Sequence, residues 1–213
     1  MKPEHQSLLL QIARDAIFQG LEHSTANGRE WTQIYSHPRV GCPEGVVPRS
    51  ELRSAAVGVG YELPSELKEE RATFVTLTIA GALRGCIGML EACRPLVEDV
   101  VENARAAAFG DPRFEPLSKE EFDQLEIHIS VLSPPEEMNF SSEADLLAQI
   151  RPGEDGLILQ EGGRRGTFLP SVWEELPDKE LFLMHLKMKA GLPNTYWSDT
   201  LLVSRYTAEY FPA

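Results

Sequence analysis

Apolar residues recur three or four positions apart in several parts of the chain, and this spacing is typical of amphipathic helices. The pattern predicts a long helix over residues 4–23, which docks one face on the core. A proline followed by acidic residues opens a second helix over residues 95–109, whose alanines allow close packing. Shorter helices are predicted over residues 119–123, after a serine and glutamate with capping-box spacing, over residues 142–150, and directly after Asp178.

Strict alternation of apolar and polar residues predicts strands elsewhere. Residues 71–81 and 82–90 form one such pair and are joined by a turn, and residues 125–133 form a further strand with one polar face. Residues 156–169 predict a second hairpin that turns at a pair of glycines. Residues 201–211 are predicted as a single last strand.

The order of these elements favours an α+β fold over a doubly wound sheet, because helices and hairpins do not alternate strictly. We therefore expect an antiparallel or mixed sheet with flanking helices. Four prolines and two glycines interrupt residues 24–70, which predicts loops with short elements. A chain of 213 residues fits one large domain or two small ones that share a core.

Charge and cysteine content narrow the class of protein. The formal net charge of −13 disfavours binding to duplex nucleic acid or to an anionic membrane surface. No segment approaches the ~20 uninterrupted apolar residues that a membrane span needs. The three cysteines, Cys42, Cys86 and Cys93, are an odd number in a long chain, which favours a reducing compartment over a disulfide framework. We expect a cytoplasmic protein.

The second strand of the first hairpin contains the first candidate site. Its period of two places Arg84, Cys86 and Gly88 on one face, while Gly85 and its apolar neighbours face the core. Arg84 then stands ~7 Å from Cys86, near enough to stabilise a thiolate. Two glycines in one strand predict a bulge or room for a ligand, and a small anionic pocket fits that description. The alternative is that Cys86 is an inert core residue.

A nucleophilic cysteine needs a base, and His128 or His185 is the candidate. His128 falls on the polar face of its predicted strand, so a solvated surface position is the alternative. No local motif places either histidine beside Cys86.

Two further segments carry candidate ligand-binding residues. The sequence GDPRF places Asp111 and Arg113 on a stiff segment after a helix, where a turn with an internal salt bridge is the alternative. The sequence GGRRG places Arg164 and Arg165 at a hairpin turn. Arginine forks suit carboxylates or phosphates, but an exposed charge pair is the alternative there.

Cysteine and histidine spacings do not predict a metal site. Cys86 and Cys93 lack a ligand-spaced partner, and His37 with Cys42 is an isolated pair. The glycines never fall in the spacing of a phosphate loop or a dinucleotide fingerprint, so no cofactor is predicted.

The hexapeptide LRGCIG, residues 83–88, resembles the signature of the AMMECR domain family. Further segments resemble that family in order and spacing, and they are FVTL at 74–77, AAFGDPRFEPL at 107–117, LEIHISVLSPPE at 125–136, IRPGEDGLIL at 150–159, GGRRGTFLPSVWEEL at 162–176 and KAGLP at 189–193. The resemblance covers nearly the whole chain and implies a single AMMECR-type domain over residues 1–213. It implies an α+β fold of two subdomains, with LRGCIG lining a groove between them.

The resemblance also implies a setting. Bacterial and archaeal relatives are called AmmeMemoRadiSam system protein A, a name that records gene association with a Memo-like protein and a radical SAM protein. Two functions follow as hypotheses. The first is an enzyme or enzyme component that binds a small anionic ligand in the groove and uses the Cys86 thiol. The second is a non-catalytic module that docks those partners, with Trp173, Phe168 and Trp197 as candidate anchors or as core residues.

Overall fold

The protein is described by a computed structural model, which covers residues 1–24 and 63–212. The loops predicted for residues 24–70 lie mostly outside the described residues. The chain divides into two compact units. The first comprises Met1–Val131 with Glu209–Ala213, and the second comprises Leu132–Ala208. The groove that the family resemblance implies stays a prediction.

The first unit has two layers, helices and an antiparallel sheet. Its helical elements are α1 (Pro3–Ser24), a 3-10 turn (Ser65–Lys68), α2 (Leu96–Phe109) and α3 (Lys119–Phe122). Its strands are β1 (Thr73–Ile79), β2 (Ala82–Gly88), β3 (Leu125–Leu132) and β8 (Ala208–Pro212), in the spatial order β2-β1-β3-β8. Helix α2 packs on α1, β1 and β2, and the apolar faces of these elements share one core. The other face of the sheet carries the polar residues of each strand.

The β1–β2 hairpin turns at Ala80 and Gly81, which both have positive φ angles of 51° and 79°. Positive φ at both central positions is the geometry of a type I′ turn, whose twist matches that of the strands it joins. Strands β1 and β3 pair in an unbroken antiparallel register, with Thr76 opposite His128. The polar residues of three strands are thereby aligned on one face.

A buried polar network lies where α2 meets β1. Asp99, in the first turn of α2, has no exposed surface. Its Oδ2 accepts hydrogen bonds from the Thr73 amide (2.8 Å), the Thr73 hydroxyl (2.6 Å) and Asn103 Nδ2 (2.9 Å), and its Oδ1 accepts one from Arg94 Nε (2.9 Å). Burial raises the pKa of Asp99 above its usual value, against the opposing effect of these donors.

The second unit is the smaller one, and it also combines helices with an antiparallel sheet. Its helical elements are α4 (Glu143–Gln149), a 3-10 turn (Pro170–Glu174) and α5 (Lys179–Lys189), and its strands are β4 (Glu136–Glu137), β5 (Gly156–Glu161), β6 (Arg164–Phe168) and β7 (Leu202–Tyr206). The strand order is β4-β7-β5-β6. Trp173 stacks on Phe182 at 3.8 Å in the core of this unit, so Trp173 is a core residue.

The fold class predicted from the sequence is confirmed: both four-stranded sheets are antiparallel and carry flanking helices. The predicted helices and both hairpins also lie within a few residues of their expected bounds. No helix among the described residues has the length and apolar character needed to cross a membrane.

Two expectations are wrong. Residues 201–211 form two strands in different sheets, β7 and β8, instead of one. The chain changes sheet at Thr207, whose amide donates to Ser133 Oγ and whose carbonyl accepts from the Ser133 amide. Cys93 is disulfide-bonded, so the cysteines are not all reduced thiols as expected.

Candidate functional site

Strand β2 contains a bulge at Arg84. Cys86 lies opposite Thr76 as expected, but Leu83 rather than Arg84 lies opposite Thr78. One extra residue reverses the facing of the strand beyond it. Leu83, which the alternation places toward the core, shares the face of Thr78 instead and its exposed fraction is 45%. The predicted single face containing both Arg84 and Cys86 is therefore broken by the bulge.

Cys86 lies half-buried on the polar face of the sheet. The Thr76 hydroxyl donates a hydrogen bond to the Cys86 sulfur at 3.2 Å. The amide of Cys86 donates to Asp111 Oδ2 at 2.9 Å, and its carbonyl accepts from Arg113 Nη2 at 3.3 Å. The thiol is thus not sealed among aliphatic side chains.

Asp111 and Arg113 form a tight pair beside the edge strand β2. Asp111 is buried and accepts from Arg113 Nε at 2.9 Å and from Nη2 at 2.6 Å. The Arg113 guanidinium, with help from the Cys86 amide, holds the pKa of Asp111 at about 2. Because β2 is an edge strand, the peptide groups of Cys86 would otherwise lack a partner strand. Asp111 accepts a hydrogen bond from the Cys86 amide, and Arg113 donates one to the Cys86 carbonyl.

Arg84 is neutralised by an acid on α3. Its Nε and Nη2 donate to the two carboxylate oxygens of Glu121 at 2.8 and 3.0 Å, and Nη2 also donates to the Glu115 carbonyl. The Arg84 side chain holds the pKa of Glu121 at about 2. Its guanidinium lies 5.7 Å from the centre of the Phe114 ring. Arg84 therefore joins β2 to the segment before β3.

The two glycines of LRGCIG are explained by packing. A Cβ at Gly85 would overlap the carbonyl oxygen of Ala107 in α2, so Gly85 lets the helix approach the strand. A Cβ at Gly88 would overlap the ring of Phe74, its partner on β1. The gap expected beside Gly88 is filled by this ring. Neither position leaves open space for a ligand at its own Cα.

His128 lies on the same polar face as Cys86 but is held by other residues. Its Nε2 is 3.1 Å from the Thr78 hydroxyl, and its Nδ1 is 2.7 Å from the Tyr210 hydroxyl. Thr76 lies between Cys86 and His128 in the strand register. Strands lie about 4.8 Å apart, so the two backbones are separated by roughly 10 Å. His128 is not within hydrogen-bond reach of the thiol in this arrangement.

Arg164 and Arg165 lie in the second unit, at the start of β6, opposite Glu161 and Gln160. Both are exposed, as expected for a hairpin end. Gly166 next to them permits close approach of α5, because a Cβ there would lie 2.8 Å from the Ala190 nitrogen. A ligand role for these arginines stays a prediction.

Sequence reasoning missed two residues that shape this face. Tyr210 contacts His128 from β8, 82 positions along the chain, and no local pattern signals that pairing. Glu121 is recognisable from the sequence as half of a capping box, and the structure confirms both of its capping bonds. Its second role, as the partner of Arg84, depends on tertiary packing.

This chain is similar to known proteins in sequence and in structure. A model of the AMMECR1 family matches residues 44–211. The chain belongs to the AMMECR1 family. This confirms the resemblance inferred from LRGCIG and from the segments that follow it.

Relatives of this AMMECR1 chain include archaeal proteins. A protein from Methanothermobacter thermautotrophicus is 44% identical over 152 residues, which cover 70% of this chain and 79% of that protein. A protein from Thermococcus onnurineus is 42% identical over 218 residues, covering 99% of this chain and 91% of that protein. The crystal structure of the uncharacterised protein PH0010 from Pyrococcus horikoshii matches with a TM-score of 0.72 and 33% identity, covering 100% of this chain and 93% of that one.

Proposed function

We propose that this AMMECR1-family protein is an enzyme component whose working group is the Cys86 thiol, and that it binds a small anionic ligand beside that thiol. The observation that carries the proposal is the hydrogen bond from the Thr76 hydroxyl to the half-buried Cys86 sulfur. The Arg113 guanidinium donates to the backbone carbonyl of the same cysteine. The proposed setting is the cytoplasm, in concert with a Memo-like protein and a radical SAM protein.

Two donors contact Cys86: the Thr76 hydroxyl at its sulfur and the Arg113 guanidinium at its carbonyl. A hydroxyl donor aimed at sulfur stabilises the charged form of the group. A nearby guanidinium does the same, and reactive cysteines are found in such partly exposed, electropositive surroundings.

Arg113 is the better candidate for contact with an anionic ligand. Its side chain is 54% exposed, whereas the Arg84 side chain is 12% exposed and is paired through two bonds with Glu121. Arg113 Nε and Nη2 donate to Asp111 and to the Cys86 carbonyl, so Nη1 is the group that would contact a carboxylate or a phosphate. We assign Arg84, Gly85, Gly88 and Asp111 to holding the strand in place, and the thiol and Arg113 to the ligand.

The experiment is alkylation of the full chain with iodoacetamide, which is neutral, and with iodoacetate, which is an anion of similar size. In both reactions the Cys86 thiolate displaces iodide, and peptide mass mapping separates Cys86 from the other cysteines. Arg113→Gln is expected to slow iodoacetate several-fold more than iodoacetamide. Thr76→Val is expected to slow both reagents. Arg164→Gln, an exposed arginine of the second unit, is the matched control and should change neither rate.

Equal slowing of the two reagents by Arg113→Gln would remove the anion site from the proposal. Absence of any effect of Thr76→Val and Arg113→Gln on either reagent would remove the activated thiol. Circular dichroism and thermal unfolding of each variant separate these outcomes from loss of the fold.

A second function, docking without catalysis, is favoured by one specific observation. The arginines nearest to Cys86 are each paired with a carboxylate, and Leu83 is exposed on the same face of the sheet. Under this hypothesis, Leu83→Asp abolishes co-purification with a Memo-like or radical SAM partner, and Cys86→Ser leaves it intact. The reverse pattern would favour the thiol.

A further inference from the structure

The polar face of the first sheet carries a second hydrogen-bonded row, which the Cys86 proposal does not use. The row consists of Tyr210, His128, Thr78 and Glu126. The Tyr210 hydroxyl lies 2.7 Å from His128 Nδ1, and His128 Nε2 lies 3.1 Å from Thr78 Oγ1. Thr78 Oγ1 donates to Glu126 Oε2, also at 3.1 Å. Three strands, β8, β3 and β1, supply these residues.

The donor and the acceptor in each hydrogen bond of this row follow from Glu126, its last residue. An ionised Glu126 only accepts, so the single hydroxyl proton of Thr78 is committed to it. The Thr78 oxygen must then accept a hydrogen bond from His128 Nε2–H. A neutral imidazole with its proton on Nε2 has a lone pair on Nδ1, and the Tyr210 hydroxyl is therefore the donor to Nδ1.

This arrangement has the parts of an activated nucleophile: a nucleophile, a base in hydrogen-bond contact, and a further group that orients the base. Tyr210 is the outermost member, because its exposed fraction is 58%. The Tyr210 and His128 rings are nearly parallel, with an interplanar angle of 9° and centres 5.7 Å apart.

We propose that Tyr210 is a base-activated phenol nucleophile, that His128 is its base, and that the site takes a neutral acyl-type electrophile. The phenol oxygen attacks the electrophilic centre, the leaving group departs with its bonding electrons, and the phenol proton passes to His128 Nδ1. Thr78 and Glu126 are positioning residues that fix the imidazole tautomer. The inference goes beyond the proposed function and needs neither Cys86 nor Arg113.

The charge around the row decides the class of electrophile. The Glu126 carboxylate lies within the row, so a polyanionic phosphoryl donor is repelled there. The exposed Leu83, which lies opposite Thr78 in the strand register, offers an apolar contact near the row. A neutral ester, thioester or sulfonyl group fits these surroundings better.

The experiment uses a neutral aryl sulfonyl fluoride on the full chain. Attack by a phenol forms an O–S bond and breaks the S–F bond, fluoride leaves, and the proton is taken up by the base. Mass mapping gives the rate at each tyrosine. Tyr206 is the internal control, because it is buried, it donates to the Phe168 carbonyl, and burial raises its pKa to about 12.

We expect Tyr210 to react faster than Tyr196 and Tyr206, and His128→Asn to slow Tyr210 by about tenfold or more, as loss of a general base does. Thr78→Val is expected to slow it roughly threefold, with Thr78→Ser restoring the wild-type rate. Thr76→Val, the matched control on the same strand, should leave the Tyr210 rate unchanged. The ¹⁵N spectrum of His128 should show the proton on Nε2.

Equal rates of Tyr210 modification in wild type and His128→Asn would overturn the proposal. So would an imidazole proton on Nδ1, or equal slowing by Thr76→Val and Thr78→Val. Because Cys86 alkylation responds to Thr76 and Arg113 whereas Tyr210 modification responds to His128 and Thr78, failure of one proposal is distinguishable from failure of the other.

Discussion

Two buried aspartates lie at opposite ends of α2, and folding changes their acidity in opposite directions. Asp99 in the first turn is enclosed with its neutral donors and Arg94, and its burial raises its pKa. Asp111, just past the last turn, has a bidentate guanidinium and the Cys86 amide, and its pKa is held at about 2. Burial alone therefore does not decide the charge state of a carboxyl. Each aspartate also accepts from an arginine, and the balance between desolvation and these donors decides the direction of the pKa shift.

The comparison also separates two roles. Asp99 and its partners lie inside the first unit, where the network joins helix to strand. Asp111 lies beside the residue that we propose as the working thiol, and its partner Arg113 is half exposed. The first aspartate serves the fold, and the second holds the backbone of Cys86, the proposed working residue.

Removing the Asp99 side chain should produce the largest effect. Asp99→Ala leaves the buried Thr73 amide and hydroxyl without the carboxylate they donate to and removes one acceptor from Arg94, so we expect a loss of about 3–5 kcal/mol in the free energy of unfolding. Urea denaturation measures it. Glu98→Ala, the neighbouring acid in the same helical turn, is the control and should cost under about 1 kcal/mol. Similar losses for the two variants would contradict the network.

Asp111→Ala should have a smaller effect, with a distinct pH dependence. Its folded pKa of about 2 lies below the usual value of 3.8, so ionised Asp111 stabilises the fold above pH ~4, and that contribution disappears as the pH falls toward 2. About 2 kcal/mol is expected near neutral pH. Asp99 has a raised pKa, so its contribution should instead shrink as the pH rises from ~4. Parallel pH profiles for Asp99→Ala and Asp111→Ala would contradict the opposite pKa shifts of the two aspartates.

Arg113→Gln should give the smallest effect on stability. A loss of about 1–2 kcal/mol is expected at neutral pH, because the pKa of Asp111 returns only part of the way while the Cys86 amide still donates to it. The pKa of Asp111 should return toward its usual value, and acid unfolding should begin at a higher pH. Acid titration followed by circular dichroism tests this, with Arg164→Gln as the control. An unchanged acid transition would mean that Arg113 does not hold the Asp111 charge.

Local signals were enough to predict most of the fold. The Ala80-Gly81 turn, the Ser118 capping box and the Asp178 helix cap each depend on neighbouring residues, and the structure confirms all three. The split of residues 201–211 into two strands was not predictable in this way, because the alternation of side chains continues through Thr207. The change of sheet depends on contacts with Ser133, far away in the sequence.

The candidate site was predictable only in part. The Thr76 to Cys86 register followed from matching apolar faces, and the structure confirms it. Gly85 packs against Ala107 of α2, and the neutralisation of Arg84 depends on Glu121, 37 positions away. These are tertiary contacts that carry no periodic signal. They nevertheless decide which arginine remains available beside the thiol.

The cap that Asp111 and Arg113 place on the open side of β2 also limits how this protein meets other chains. An incoming peptide cannot extend the sheet past Cys86 without first displacing a carboxylate and a guanidinium from its peptide group. The Asp111–Arg113 pair therefore opposes strand addition by a partner peptide at Cys86. It also opposes edge-to-edge aggregation of copies of this chain. A ligand therefore has to reach the Cys86 thiol from the polar face of the sheet and not along its edge.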